Sequence, residues 1–353
     1  MSECTERSEG HERTPSQPSV SECTERSEGH ERTPNQPSVS ECTERSEGHE
    51  RTPSQPSVSE WSVIVVGDLV TDVLVVHQGP IETGTDTDAV ITVAGGGQAA
   101  NTAAWLAHAG CPVTLVAAVG QDPAGRERVA ELTARGVHCA VRAHDGAATG
   151  SVVVLATADE RTMLADRGAA CLLDPGDVAA AVAALPTARH LHLSGYPLLD
   201  PGSRPGGLAA LAAARARGLT TSVDAASAGP LRRVGAAAFL DRVRGTDLLL
   251  CNADEAAVLA GPGPAPQQAR ALTGVARQVV VKRGGAGAVW AGRDGTLESV
   301  AGNPVPAVDP TGAGDAFAAG LIAAWCAGAD PAAALAAGAA LGAEAVRRVG
   351  ARP

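Results

Sequence analysis

The residues best suited to chemistry stand at Asp309-Pro-Thr-Gly-Ala-Gly-Asp315-Ala-Phe-Ala-Ala-Gly320. Thr311, Gly312, Ala313 and Gly314 make a turn of small residues leading into an apolar stretch of helical length. Such a turn points several backbone N–H groups at one spot, and the helix dipole adds partial positive charge there. The spacing predicts an anion hole for a phosphoryl group, built without lysine. Asp315 falls in the first turn beside it, where a carboxylate can accept the proton of a hydroxyl attacking phosphorus. An acid that merely complements the dipole at a helix start would look the same.

Other groups gather at the ends of apolar runs. Gly67-Asp-Leu-Val-Thr-Asp72 follows the first run, and Asp72 is either a ligand-facing acid or the cap of a turn. Gly95-Gly-Gly-Gln-Ala-Ala-Asn101 is a flexible turn before a helix. Asn252-Ala-Asp-Glu255 has the spacing of a capping box, which explains both residues structurally. Asp224 ends another run, facing a ligand or capping the next turn. Lys282-Arg-Gly284-Gly-Ala-Gly287 is a glycine loop on which a nucleotide can lie, though glycine patterns alone say little. His190 and His192 alternate on a strand without a third ligand, which argues against a metal site.

Taken together, Asp309 to Gly320 and Gly95 to Ala103 resemble the C-terminal and N-terminal signatures of the ribokinase-like (PfkB) carbohydrate kinases. The resemblance runs from residue 62 to residue 351, motif by motif and in the family's order. It implies ATP-dependent phosphorylation of a hydroxymethyl group on a sugar. Asp315 would be the base, with Gly312, Ala313 and Gly314 as the anion hole. Asp72, Gly96, Gly97 and Asn101 would hold the sugar, the glycines by letting it approach the backbone. Arg161 and Arg167 lie where relatives place an arginine that contacts substrate or phosphate, and solvated hairpin charges explain them equally well. Asp224, Lys282, Gly284, Gly287 and Thr311 would face ATP. Asn252 and Glu255 would organise Mg2+ through water, as that ion's reluctance to dehydrate suggests. Asp309 would help hold a monovalent cation such as K+, and relatives often form a homodimer through their flaps.

Two alternatives stay open. A nucleoside kinase of the same fold shares the Gly-Gly-x-x-Ala-Asn pattern. A sugar-binding sensor without turnover is the other, although a pure binder needs no base beside an anion hole. A P-loop kinase is excluded because G-x-x-x-x-G-K-[ST] is absent, and Lys282 is the only lysine. A Rossmann dehydrogenase is disfavoured because Gly67-Asp-Leu replaces G-x-G-x-x-G after the first run.

The elements that must position these groups read as α/β. The β-branched run at 63–66 and similar strand-length runs at 113–119, 190–194, 220–223, 247–251 and 278–281 alternate with Ala-rich stretches of helical length. The expectation is a doubly wound, mostly parallel sheet flanked by helices, with ligands at the carboxyl ends of its strands. Segments 73–93 and 149–173 break the alternation and suit an antiparallel flap, or lid, over the crevice. Residues 60–353 form the expected kinase domain. Residues 1–59 hold three near-identical 19-residue copies with one Val and one Cys each, too little apolar surface to fold, so they read as a disordered tail.

Charge narrows the class further. The net charge is −11; the first 58 residues hold 12 acids and 6 bases, so the remainder carries −5. With no basic stripe, nucleic acid is not an expected partner. No apolar run is long enough for a membrane span, and scattered cysteines without a C-x-x-C pair point to a reduced, cytoplasmic setting.

Overall fold

The computed structural model describes residues 61–156, 161–302 and 305–353, so the repeat tail expected over 1–59 lies outside the described residues. The central strand β1 (Ser62–Val66) is buried at every position. A β-branched run covered on both faces is what an interior parallel strand requires. With it the chain forms β4 (Val113–Gly120), β5 (His138–His144), β8 (Ala188–Ser194), β9 (Thr220–Asp224) and β10 (Leu248–Asn252). The set is completed by β11 (Gln278–Lys282), β12 (Ala288–Gly292) and β13 (Leu297–Val300), in the order β13-β12-β11-β10-β9-β8-β1-β4-β5. Pairing is parallel from β11 to β5, while β12 and β13 are antiparallel. That antiparallel edge was not foreseen, nor was β5, a half-exposed edge strand whose sequence HCAVRAH lacks an apolar run.

Helices cover both faces. The chain-order set begins α1 (Gln98–His108), α2 (Pro123–Ala134), α3 (Pro175–Ala183), α4 (Tyr196–Leu199) and α5 (Arg204–Ala216). It continues with α6 (Ala228–Val234), α7 (Ala236–Arg242), α8 (Ala253–Ala260), α9 (Ala265–Leu272), α10 (Ala313–Cys326) and α11 (Pro331–Ala345). Val63 and Val65 point into a core with Trp105 of α1, Leu132 of α2, Ile322 of α10 and Leu335 of α11. Ile64 and Val66 point the other way, onto Val182 of α3, Leu211 of α5, Phe239 of α7 and Leu272 of α9. The period-2 alternation of one strand thus divides the two cores.

The two segments that broke the alternation form a second sheet of β3 (Ala89–Gly96), β2 (Val70–His77), β6 (Thr149–Ala156) and β7 (Arg161–Gly168), in the order β3-β2-β6-β7. Each hairpin is antiparallel as expected, but β2 and β6 join them in parallel. Val90, Ile91, Val93, Met163 and Leu164 of this sheet are exposed.

After α11 the chain returns to the carboxyl ends of the main sheet. Trp105, 1% exposed, donates its indole N–H to the carbonyl of Ala351 at 2.9 Å. Trp105→Phe keeps an aromatic ring, though a smaller one, but orphans that buried carbonyl, and should cost roughly 1–3 kcal/mol. Urea unfolding checks this; an unchanged midpoint would show that the bond does not hold the segment.

Candidate active site

Strand order reverses at β1, with β8 on one side and β4 on the other, and ligands of such sheets bind in the crevice at that point. The strand ends there deliver Asp68 after β1, Ser194 from β8, Asp224 from β9, Asn252 from β10 and Lys282 from β11. α10 begins over the same crevice. Gly312 is its N-cap, in the left-handed region at φ 75, and a β-carbon there would lie 2.4 Å from the Ala351 carbonyl. The amides of Ala313 and Asp315 turn back onto Pro310 and Gly312. Those of Gly312 and Gly314 make no hydrogen bond among the described residues, which leaves two donors at the positive end of the helix.

The turn was expected to offer its amides without lysine, and the structure sets Lys282 beside them. Lys282 Nζ approaches within 3.5 Å of the place a β-carbon on Gly314 would occupy. Sequence spacing hid this, because strand β11 delivers the ammonium while α10 delivers the amides.

Asp315 stands in the first turn of α10, half-buried, and accepts a 2.9 Å hydrogen bond from Asn101 Nδ2. Its pKa is raised to about 8. Burial is the main cause, with the carboxylates of Asp224 and Asp68 adding to it; Asn101 and Lys282 pull the other way. The residue keeps some access to the cleft, but the protein packed around it outweighs that access.

Lys282 holds Asp224 at 2.5 Å, with side chains 12% and 2% exposed. Burial pulls the lysine pKa down, but Asp224 and Glu255 overcompensate and the ammonium is held firmly charged. Glu255 is 2% exposed, and its pKa is raised, first by burial and then by Asp224. The expected capping box is complete: Asn252 Oδ1 accepts from Glu255 N, and Glu255 Oε2 accepts from Asn252 N. Glu255 Oε1 also accepts from Asn252 Nδ2 at 2.7 Å. With both oxygens committed, the pair suits a divalent cation held through water better than a direct ligand.

The glycine triplet makes room for the protein's own groups. A β-carbon on Gly95 would lie 1.9 Å from Arg352 Nη1, on Gly96 2.0 Å from Asp72 Oδ1, and on Gly97 2.5 Å from the Asp68 carbonyl. Asp72 is therefore seated against Gly96, and its pKa is raised to about 6 by burial, with Asp68 adding and Arg352 and Arg128 opposing. Of the remaining candidates, Asp309 Oδ1 accepts from Thr311 N and Oγ1, and its Oδ2 from Gly350 N. Gly284 faces open space, while a β-carbon on Gly287 would strike the Val300 carbonyl. Arg161 is described only as backbone, opening β7. The Arg167 guanidinium lies 4.8 Å over the ring of Tyr196, with Nε and Nη2 shielded and without hydrogen bonds.

Four groups at the crevice were not picked out from sequence. Asp68 takes Gln98 N at 3.0 Å and Ser194 Oγ at 3.0 Å, although its place directly after a strand was a usable signal. Tyr196 is surrounded by Asp68, Asp315 and Glu255, and its hydroxyl pKa is raised, first by burial. Ser194 ends a strand as Asp224 does. Arg352 offered no local signal at all.

The raised value of Asp315 has a consequence for stability. Its pKa in the unfolded chain is near 3.8, so between about 4 and about 8 the folded state binds the proton more tightly. Stability from this group is complete below pH 4 and is lost as pH rises through 8. Asp315→Asn should match wild type near pH 4 and exceed it by roughly 2–5 kcal/mol at pH 9. Urea unfolding across that range tests this; a difference independent of pH contradicts it.

Comparison with known proteins agrees with this architecture. The pfkB family carbohydrate kinase model matches residues 61–353. An E. coli protein described as a candidate ribokinase II, in complex with ATP and Mg2+, is 26% identical with a TM-score of 0.71, over 82% of this chain and 94% of its own. The PfkB protein from Polaromonas sp. JS666 is 28% identical with a TM-score of 0.67, over 82% of this chain and 97% of its own. Adenosine kinase from Sinorhizobium meliloti, at 23% identity and TM-score 0.73 over 83% and 96%, shares the fold. With the family match spanning every described residue, the chain belongs to the pfkB family of carbohydrate kinases, ATP-dependent phosphotransferases of ribokinase-like α/β fold.

Proposed function

We propose that this chain transfers the γ-phosphoryl group of ATP to a hydroxymethyl group of a sugar. The observation that carries the reading is the meeting of Asp315 with two free amides and one ammonium at the start of α10. Phosphoryl transfer depends on positioning and charge neutralisation more than on covalent chemistry by the protein. In this reading the Gly312 and Gly314 amides and Lys282 receive the equatorial oxygens of the migrating group. Asp315 takes the acceptor proton through the oxygen that Asn101 leaves free. Asp72 and Asn101 orient the sugar hydroxyls, and the open Gly284 turn seats the nucleotide. Asn252 and Glu255 face Mg2+ through water; the bound ion would neutralise phosphate charge beside the carboxylates. Thr311 and Asp309 brace the turn, and Asp309 would be the carboxylate that meets a monovalent cation such as K+.

The four-stranded sheet acts as the lid in this proposal, with Arg167 carried toward the crevice on its last strand. The exposed apolar residues of that sheet suit burial by a second copy, so a homodimer is the expected assembly. No described helix is long and apolar enough to cross a membrane.

A nucleoside acceptor is the second reading. Against it, aromatic residues are only 2% of the chain, and Tyr196 is the aromatic placed among the carboxylates, giving little to sandwich a purine. Acids and amides in that number suit a ring of hydroxyls. Ribose, fructose and adenosine offered side by side with ATP and Mg2+ separate the readings by ADP released. Turnover of adenosine alone removes the sugar proposal, and sugar binding with no ADP favours a sensor.

Asp315→Asn should lower turnover by roughly 10²–10⁴ with substrate binding largely kept. Because the base must be ionised, kcat/KM should climb with pH and reach half its plateau near pH 8. A profile flat from pH 6 to 9 contradicts that role. Glu255→Gln should raise the Mg2+ concentration needed for half-maximal rate; an unchanged titration returns Glu255 to capping alone.

A further inference from the structure

Arg352 lies on the segment that Trp105 pins, with its side chain 3% exposed. Its guanidinium is distributed among three partners from distant parts of the chain. Nη2 donates to the Gly96 carbonyl at 2.8 Å, Nη1 pairs with Glu131 Oε1 at 3.1 Å, and Nε donates to Asn101 Oδ1 at 3.1 Å. The last contact has a directional consequence. An asparagine amide has an accepting end and a donating end of nearly equal shape, so its partners decide which way it faces. Arginine can only donate. Holding Oδ1 on the Arg352 side therefore directs Nδ2 at Asp315, where it stands 2.9 Å from Oδ2.

We propose that Arg352 is a positioning residue for phosphoryl transfer, acting through Asn101 to keep an N–H donor on one oxygen of Asp315 and so leave the other for the acceptor hydroxyl. Three neighbours fix the guanidinium itself. Gly95 leaves the volume it fills, Glu131 on α2 supplies the counter-charge, and the Gly96 carbonyl ends the fork. Gln or Ala at position 95 would displace it, which gives the first glycine of the triplet a purpose distinct from ligand approach. Without Arg352 the Asn101 amide is free to turn, presenting its oxygen to a carboxylate and repelling it.

The groups that face Asp315 set the sign of the effect. Asn101 from α1 donates; Asp224 at the end of β9, Asp68 after β1 and Tyr196 after β8 surround it; Lys282 from β11 opposes them but is already engaged by Asp224. Removing a donor to the ionised form raises the carboxyl pKa.

The inference rests on the reading of Asp315 as the base, so one readout does not use activity. Arg352→Met fills much of the same volume without donors, and Arg352→Lys keeps a charge and one donor nitrogen. In carboxyl-detected NMR, with the Asp315 signal assigned by its loss in Asp315→Asn, the Asp315 midpoint should move up by about 0.5–1 pH unit in Arg352→Met and less in Arg352→Lys. In the kinase assay kcat should fall roughly 10–100-fold in Arg352→Met, with KM for ATP within about twofold and partial recovery in Arg352→Lys. A folded variant whose midpoint and kcat both match wild type overturns the proposal, as does a loss of stability alone. Should Arg352→Met fail to fold, Arg352→Lys carries the same two readouts. Wild-type protein that phosphorylates none of the acceptors sinks the kinase reading, and the NMR midpoint then still decides whether Arg352 sets the Asn101–Asp315 bond.

Discussion

Like charges crowd the crevice, and most of the local structure is a response to that crowding. Asp68, Asp224, Glu255 and Asp315 converge there with Lys282 as the ammonium among them. Each carboxylate is held by its own donors: Asp68 by Gln98 N and Ser194, Asp224 by Lys282, Glu255 by Asn252, and Asp315 by Asn101. Those bonds fix where the charges sit without cancelling them. Desolvation and mutual repulsion still push Glu255 and Asp315 toward their protonated forms. A polyanionic nucleotide would meet this site unfavourably by itself, and a divalent cation arriving with it reverses the balance. The crowding thus favours a metal-bearing phosphate ligand over a bare one.

The scaffold concentrates these groups because a parallel sheet places all its strand ends on one side. β1, β8, β9, β10 and β11 each contribute one polar residue just past an apolar run, and the run itself is anchored in one of two cores. Precision at the site therefore derives from buried strands and helices, with short loops adding little freedom. α10 completes the arrangement. Its residues from Ala316 to Ile322 are all buried, so its N-terminus cannot drift relative to the strand ends.

How much was legible depended on the range of the contacts. Strands such as Val63–Val66 and the start of α10 were readable because an apolar run or a small-residue turn is a local pattern. So was the capping box at Asn252 and Glu255, which spans three residues. Lys282 beside Gly314 was not, since the two are brought together only by sheet order. Arg352 meets Asn101 across 251 positions, and no spacing rule reaches that far. The parallel joining of β2 and β6 was hidden for a similar reason: each hairpin signals its own turn, but nothing in either names its neighbour.

The glycine triplet shows how a correct motif can carry an incomplete explanation. Gly96 and Gly97 were read as backbone stripped bare for a ligand, and Gly95 only as part of a flexible turn. In the folded chain the vacated volume is taken by Arg352, Asp72 and the Asp68 carbonyl. These occupants are two charged side chains and a backbone acceptor. A side chain at position 95 would strike Arg352, which itself reaches both the Gly96 carbonyl and Asn101, while one at position 96 or 97 would strike Asp72 or the Asp68 backbone. In the proposed reading, small residues there serve the ligand indirectly, by admitting the groups that would bind it and the group that would hold its base in register.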